Sequence, residues 1–285
     1  MQGNLSSMRM NPYQLGLALL TTTVALVSPA GAGTLSVYIS PPTTQDTFVG
    51  GASTATFDDL TPDTNTTTPY VSPIGTYQYS VSSPAAILVA DQYGGAHGTQ
   101  YMSLGAQSHS TAPITLNLNA SANYFGFWFS AGDKNNGISF YNGNVFLARY
   151  TTQTIVDILT PKSGTVTAVD NTVYNNSDYY GNPNSGSNTG ETYTYVDIIA
   201  SGLTFDKIVL DNSDTEGTGF ESDNHSVYAG TVPVPGGDVF VTQITSVPEP
   251  SEYMGFIFAG MLCFFVGQHW RKMKSEAVKF VASNS

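Results

Sequence analysis

Between residues 33 and 230 the apolar positions fall in short runs, and no stretch keeps the spacing of a long amphipathic helix. The runs are rich in β-branched and aromatic residues and are broken by Gly, Asn, Pro and Ser. Clear strand candidates are Ala86–Ala90, Tyr101–Leu104, Ile114–Leu118, Tyr124–Phe129, Ile138–Tyr141, Val145–Tyr150, Tyr195–Ala200 and Phe205–Leu210. Phe220 and the pair Val227-Tyr228 point to a closing strand. Several runs alternate apolar with polar, as half-buried antiparallel strands do. Tyr124–Phe129 is instead continuous, which places Trp128 in the core. Asn142-Gly143 between two runs predicts a hairpin with a type I′ turn. Eight or nine strands with polar turns predict an all-β fold, an antiparallel β-sandwich of jelly-roll type. Residues 171–190, rich in Asn, Ser, Tyr and Gly, read as a long surface loop. Pro233-Val234-Pro235-Gly236-Gly237 lies in a linker over 231–247, so the sandwich is assigned to 33–230.

The ends follow a different pattern. Arg9 precedes an apolar stretch from Leu15 to Val27, then Pro29 and Ala30-Gly31-Ala32. A cation, a short apolar segment and an Ala-x-Ala site predict a signal helix over 1–32, removed after Ala32. Near the other end stand Pro248-Glu249-Pro250, then an apolar run from Tyr253 to Gly267, then Arg271, Lys272 and Lys274. The run is shorter than the usual ~20 residues of a span, but it reaches membrane length if Trp270 serves as an interfacial anchor. It predicts a C-terminal transmembrane helix within 248–274, with the basic stop and a tail over 275–285 left in the cytoplasm. The two prolines cannot donate backbone hydrogen bonds and hold their neighbours extended, so the motif is presented as an accessible strand.

Charge narrows the partners. Charged residues are only 11% of the chain, against roughly 25% in ordinary soluble domains. From Gly33 to Val247 there are four Lys or Arg against 15 Asp and 3 Glu, a net charge of −14. Such a surface repels phosphate backbones and argues against nucleic-acid binding. It is compatible with divalent cations and with neutral polysaccharide. The single cysteine, Cys263, lies in the C-terminal apolar run, so an intramolecular disulfide is impossible and the core alone must hold the fold.

The C-terminal order of Pro-Glu-Pro, apolar helix and basic cluster resembles the PEP-CTERM sorting signal. That resemblance implies an exosortase-type membrane protease as a partner and cleavage near Pro248, Glu249 and Pro250. The protein would pass transiently through the inner membrane and then reach the cell surface or the exterior. A plain C-terminal anchor is the alternative. Within the domain, Phe57-Asp58-Asp59-Leu60, Tyr124–Asp133, Phe140–Asn144 and Gly219–His225 are similar to a cyanobacterial family of exosortase-dependent surface proteins. That likeness implies export and display, and no particular chemistry.

Three constellations bear on chemistry. In a jelly roll the first and last strands lie side by side, so Asp58, Asp59, Glu221 and Asp223 are candidate ligands of a structural Ca²⁺, which takes six to eight oxygens. Solvated acidic turns are the alternative. Tyr179 and Tyr180, with Tyr174 and Tyr193 nearby, are candidates for stacking on sugar rings; strand and loop preference explains them equally. For catalysis there is neither a Gly-x-Ser-x-Gly elbow nor a His-Glu-x-x-His motif. His97 and His225 lie in a flexible loop and an acidic stretch, and Asp211 with Glu216 makes a glycosidase pair only if folding sets their separation. The expectation is a non-enzymatic, exported surface or matrix protein; the alternative is a carbohydrate-binding module associated with exopolysaccharide.

Overall fold

A computed structural model describes residues 33–213 and 217–237, and the backbone of 240–244. The expected signal helix, Pro-Glu-Pro motif, transmembrane helix, basic stop and tail lie outside the described residues. No helix among the described residues is long and apolar enough to cross a membrane.

In chain order the strands are β1 (Gly33–Ile39), β2 (Ser53–Ala55), β3 (Asp63–Thr66), β4 (Tyr70–Val71), β5 (Gly75–Gln78), β6 (Ala85–Leu88), β7 (Tyr101–Gly105), β8 (Ile114–Ala122) and β9 (Tyr124–Gly132). They continue with β10 (Asn136–Asn142), β11 (Val145–Thr151), β12 (Thr165–Thr167), β13 (Val173–Asn175), β14 (Thr192–Ser201), β15 (Phe205–Asn212), β16 (Gly219–Tyr228) and β17 (Phe240–Ile244). One short helix, α1 (Thr152–Ile158), follows β11 and buries Ile155. The larger sheet runs β17-β1-β14-β9-β16-β7-β6-β3, with β2 on β16; the smaller runs β11-β10-β15-β8-β5-β4. All the pairings are antiparallel. The architecture is an all-β sandwich, and every strand read from the sequence appears in it.

The core lies between the sheets. Phe125, Phe127 and Phe129 project inward from β9, Val196 and Ile198 from β14, and Phe140, Ile208 and Leu116 from the facing sheet; all are at most 1% exposed. Each buried Phe contributes about 2–3 kcal/mol of apolar transfer. Without a disulfide in the domain, this burial is the main source of its stability.

The two sheets differ in their outer faces. β9, β14 and β16 are buried at almost every residue, not at alternate ones. Their outer face carries Trp128, Tyr193 and Tyr195 and lies under loops 40–52, 91–100 and 176–191. This explains the unbroken apolar run at Tyr124–Phe129, since a strand covered on both faces needs no polar side. The smaller sheet keeps the alternation in β8, β11 and β15, whereas β10 is buried from Asn136 to Phe140, with the Arg149 guanidinium lying against Gly137; the rest of the sheet's outer face is open.

Three expectations differ in detail. The β10–β11 loop is Gly143-Asn144, because Asn142 pairs with Val145. Only Gly143 has positive φ (55°), which fits a type II′ turn and not I′. The stretch 171–190 carries β13, a 3₁₀ turn and buried anchors, so it is a structured arm and not a bare loop. The stretch taken as linker, 231–247, carries β17, which pairs with β1 from Gly33↔Ile244 to Val37↔Phe240. Proline and glycine at 233–237 mark only the turn that leads into that strand.

Candidate functional site

The covered outer face holds three carboxylates. Asp197 on β14 accepts hydrogen bonds from the Tyr124 hydroxyl (2.6 Å) and from Ser40 Oγ (2.7 Å), and Thr47 donates in turn to Tyr124. Burial disfavours its charge and pushes its pKa up to about 7, the two donors offsetting only part of the cost. Asp223 on β16 accepts the backbone N–H of Ala96 (2.8 Å) and of Asn224 (2.7 Å), and burial again raises its pKa. Glu221, two residues earlier, accepts from Gln107 Nε2 at 2.7 Å. Burial, with Asp133 and Glu191 adding repulsion, pushes it up to about 8. Sequence marks these groups only as acids; the upward pull on their pKa values comes from burial under the loops that cover them.

The same carboxylates decide the calcium expectation. The juxtaposition behind it is real, since β2 pairs with β16 and Ala55 stands opposite His225. The side chains, however, diverge. Asp58 is exposed and accepts the backbone N–H of Gln100, and Asp59 accepts the Tyr70 hydroxyl. Glu221 and Asp223 are turned into the covered face. Among the described residues no three His, Cys, Asp or Glu side chains converge to hold a metal. Asp58, Asp59, Glu221 and Asp223 therefore do not form one calcium site here; each accepts hydrogen bonds from a neighbouring loop or strand instead.

The tyrosine platform is also redistributed. Tyr179 is 1% exposed, packs in the main core and donates to the Ser40 carbonyl. Tyr193 is buried beside Trp128 and donates to the Gln92 carbonyl. Tyr180 is half-buried, with Lys162 Nζ 4.0 Å from its ring centre and its hydroxyl donating to the Leu159 carbonyl. Tyr174 bonds Asp170. A flat sugar-binding surface therefore does not form from Tyr179 and Tyr180, because the Tyr179 ring is used as core and leaves Tyr180 alone and half-buried.

Among the described residues, His225 and His97 have partners other than a serine or cysteine nucleophile. His225 is fully buried within the rings of Phe57, Phe125 and Phe127, and its Nδ1 lies 2.9 Å from the Tyr77 hydroxyl. Burial lowers its pKa to about 3, so it is a neutral core group. His97 pairs with Asp46 at the surface (2.8 Å). Asp211 is held by a two-pronged contact with Arg149, and Glu216 lies outside the described residues.

What sequence inspection overlooked is the open face of the smaller sheet. The registers align Val71, Thr76, Asn117, Lys207, Tyr141 and Phe146 in one row across six strands. A parallel row carries Gln78, Thr115, Val209, Ser139 and Arg149. Phe146 meets Tyr141 edge-on at 5.5 Å, and Lys207 Nζ sits 4.7 Å from the Tyr141 ring centre. The alternation within β8, β11 and β15 signalled that this face exists, but only the pairing shows which residues share it.

Comparison with known proteins adds little. No family model matches the chain, and no curated protein does. A solved structure with some similarity is the catalytic domain of a GH87 alpha-1,3-glucanase variant in complex with tetrasaccharides, at 13% identity and a TM-score of 0.28. The match covers 77% of this chain and 31% of that one. At that TM-score it informs neither the fold nor the activity.

Proposed function

We propose that this is an exported, non-enzymatic protein of the cell surface or extracellular matrix, processed at its C-terminus by an exosortase-type protease. The observation that carries the reading is the order of Pro248-Glu249-Pro250, apolar run and basic cluster in the sequence. The fold is compatible with trimming at both ends. Gly33, the first residue after the expected leader, pairs with Ile244, four residues before Pro248. Removal of both ends would thus leave β1 and β17 intact and paired. The strand orders β7-β16-β9-β14 and β8-β15-β10-β11 support a jelly-roll reading of the sandwich, an architecture found among viral capsid and lectin domains.

The test is fractionation of cells that express the full chain with and without an exosortase, with mass spectrometry of the mature termini. We expect an N-terminus at Gly33, and a new C-terminus near the motif only when the protease is present. Changing Pro248 and Pro250 to Ala should trap the chain in the membrane. A chain that keeps its C-terminus under all these conditions would make the segment a plain anchor.

A further inference from the structure

We propose that the open face of the smaller sheet binds an extended chain of neutral polysaccharide, along the row that ends at Tyr141 and Phe146. This deepens the surface-protein reading by naming a ligand class, and the binding assay below is blind to processing, so the two can fail separately.

The first argument is charge. The domain carries 18 carboxylates over 33–247, yet among the described residues the acids beside the two rows are Asp211, which Arg149 pairs with, and Asp206 at the hairpin end, which accepts the Gly143 N–H. Lys207 is the remaining cation, and it lies over the Tyr141 ring. The face is therefore nearly neutral within a strongly acidic domain. That complements an uncharged polymer better than a polyanion or an anionic membrane, which the rest of the surface repels.

The second argument is the chemistry of the row. Amide, hydroxyl and ammonium groups of Asn117, Thr76 and Lys207 alternate across the strands, with aromatic rings at one end. Sugar rings offer the complement: hydroxyls at their rims and apolar C–H faces that stack on aromatic rings. At the ~4.8 Å spacing of strands, six strands make a row roughly 24 Å long, enough for several sugar residues. Phe146 is 53% exposed and so free to stack. Its edge-on contact with Tyr141, and the cation over Tyr141, hold the pair in place before any ligand arrives, which reduces the ordering cost of binding. A protein partner fits less well, since the exposed apolar groups Val71 and Phe146 stand at opposite ends of the row with polar groups between them, and protein interfaces need an apolar centre.

The experiment is native-gel retardation of the full chain in mild non-ionic detergent. The gels contain dextran, hydroxyethyl cellulose, soluble starch, galactomannan or, as the polyanion, alginate. We expect retardation by at least one neutral polymer, weakened at least tenfold in Phe146→Ala and in Asn117→Ala and unchanged in Tyr180→Ala. Both altered side chains are exposed, so circular dichroism should show an unchanged fold. The proposal is overturned by absence of retardation in all four neutral gels, by retardation in alginate alone, or by neutral-polymer binding that survives both changes.

Discussion

The Asp197 carboxylate lies 2.6 Å from the Tyr124 hydroxyl and 2.7 Å from Ser40 Oγ, in a fully buried position on the outer face of the larger sheet. Two donors are too few to keep a buried carboxylate charged near neutrality, so the group holds its proton far above the usual range. Glu221 and Asp223 share that face and that tendency.

This arrangement sets a pH dependence. Asp197 moves from 3.8 to about 7 on folding, and Glu221 from 4.5 to about 8. The folded state binds these protons more tightly, so the stabilisation is fully present below the unfolded values and is lost as pH rises through the folded ones. His225 acts in the opposite sense: its pKa falls from 6.5 to about 3, so its contribution is full above 6.5 and lost in acid. Three raised carboxylates outweigh one imidazole. Thermal melts should therefore show the highest Tm near pH 4–5 and a progressively lower Tm toward pH 8–9. Asp197→Asn should flatten that slope. A level Tm between pH 5 and 8, or an unchanged slope in the variant, would contradict it.

Phe57 ties the start of the domain to its last long strand. Its ring lies 5.1 Å from His225 and 5.4 Å from Tyr77, edge-on to both, and it is fully buried. Phe57→Ala should cost about 3–5 kcal/mol in denaturant unfolding, the usual loss for a buried aromatic. A loss under 1 kcal/mol would mean that the nest of rings collapses without penalty.

The β1–β17 pair gives a prediction about chain length. A fragment spanning 33–246 should melt like the full domain. One spanning 33–239 lacks β17 and exposes the edge of β1, so it should lose at least about 5 °C in Tm and self-associate in light scattering. Equal melting and solubility of the two fragments would show that β17 adds nothing to the sheet.

These elements divide what was legible from what was not. The continuous run Tyr124–Phe129 and the alternation in Phe205–Leu210 were readable as strands, because side-chain period and β-branched content are local properties. β17 was not: Pro233 to Gly237 has the composition of a linker, and only an open edge on β1 makes Phe240–Ile244 a strand. α1 was missed for a similar reason, since seven residues with no side-chain cap carry little signal of their own.

The sequence by itself determined the fold class, the acidic and disulfide-free character of the domain, and the address-like pattern at both ends, because composition and local periodicity record these directly. Only the tertiary structure decided which side chains meet. Asp58 and Asp59 stay at the surface while Glu221 and Asp223 turn under the loops, and Tyr179 becomes core. Phe146, Tyr141, Lys207 and Asn117 come from separate strands and are aligned by register alone. Register depends on how whole strands bury their inner faces against one another, and that pairing is set by contacts far apart in the chain.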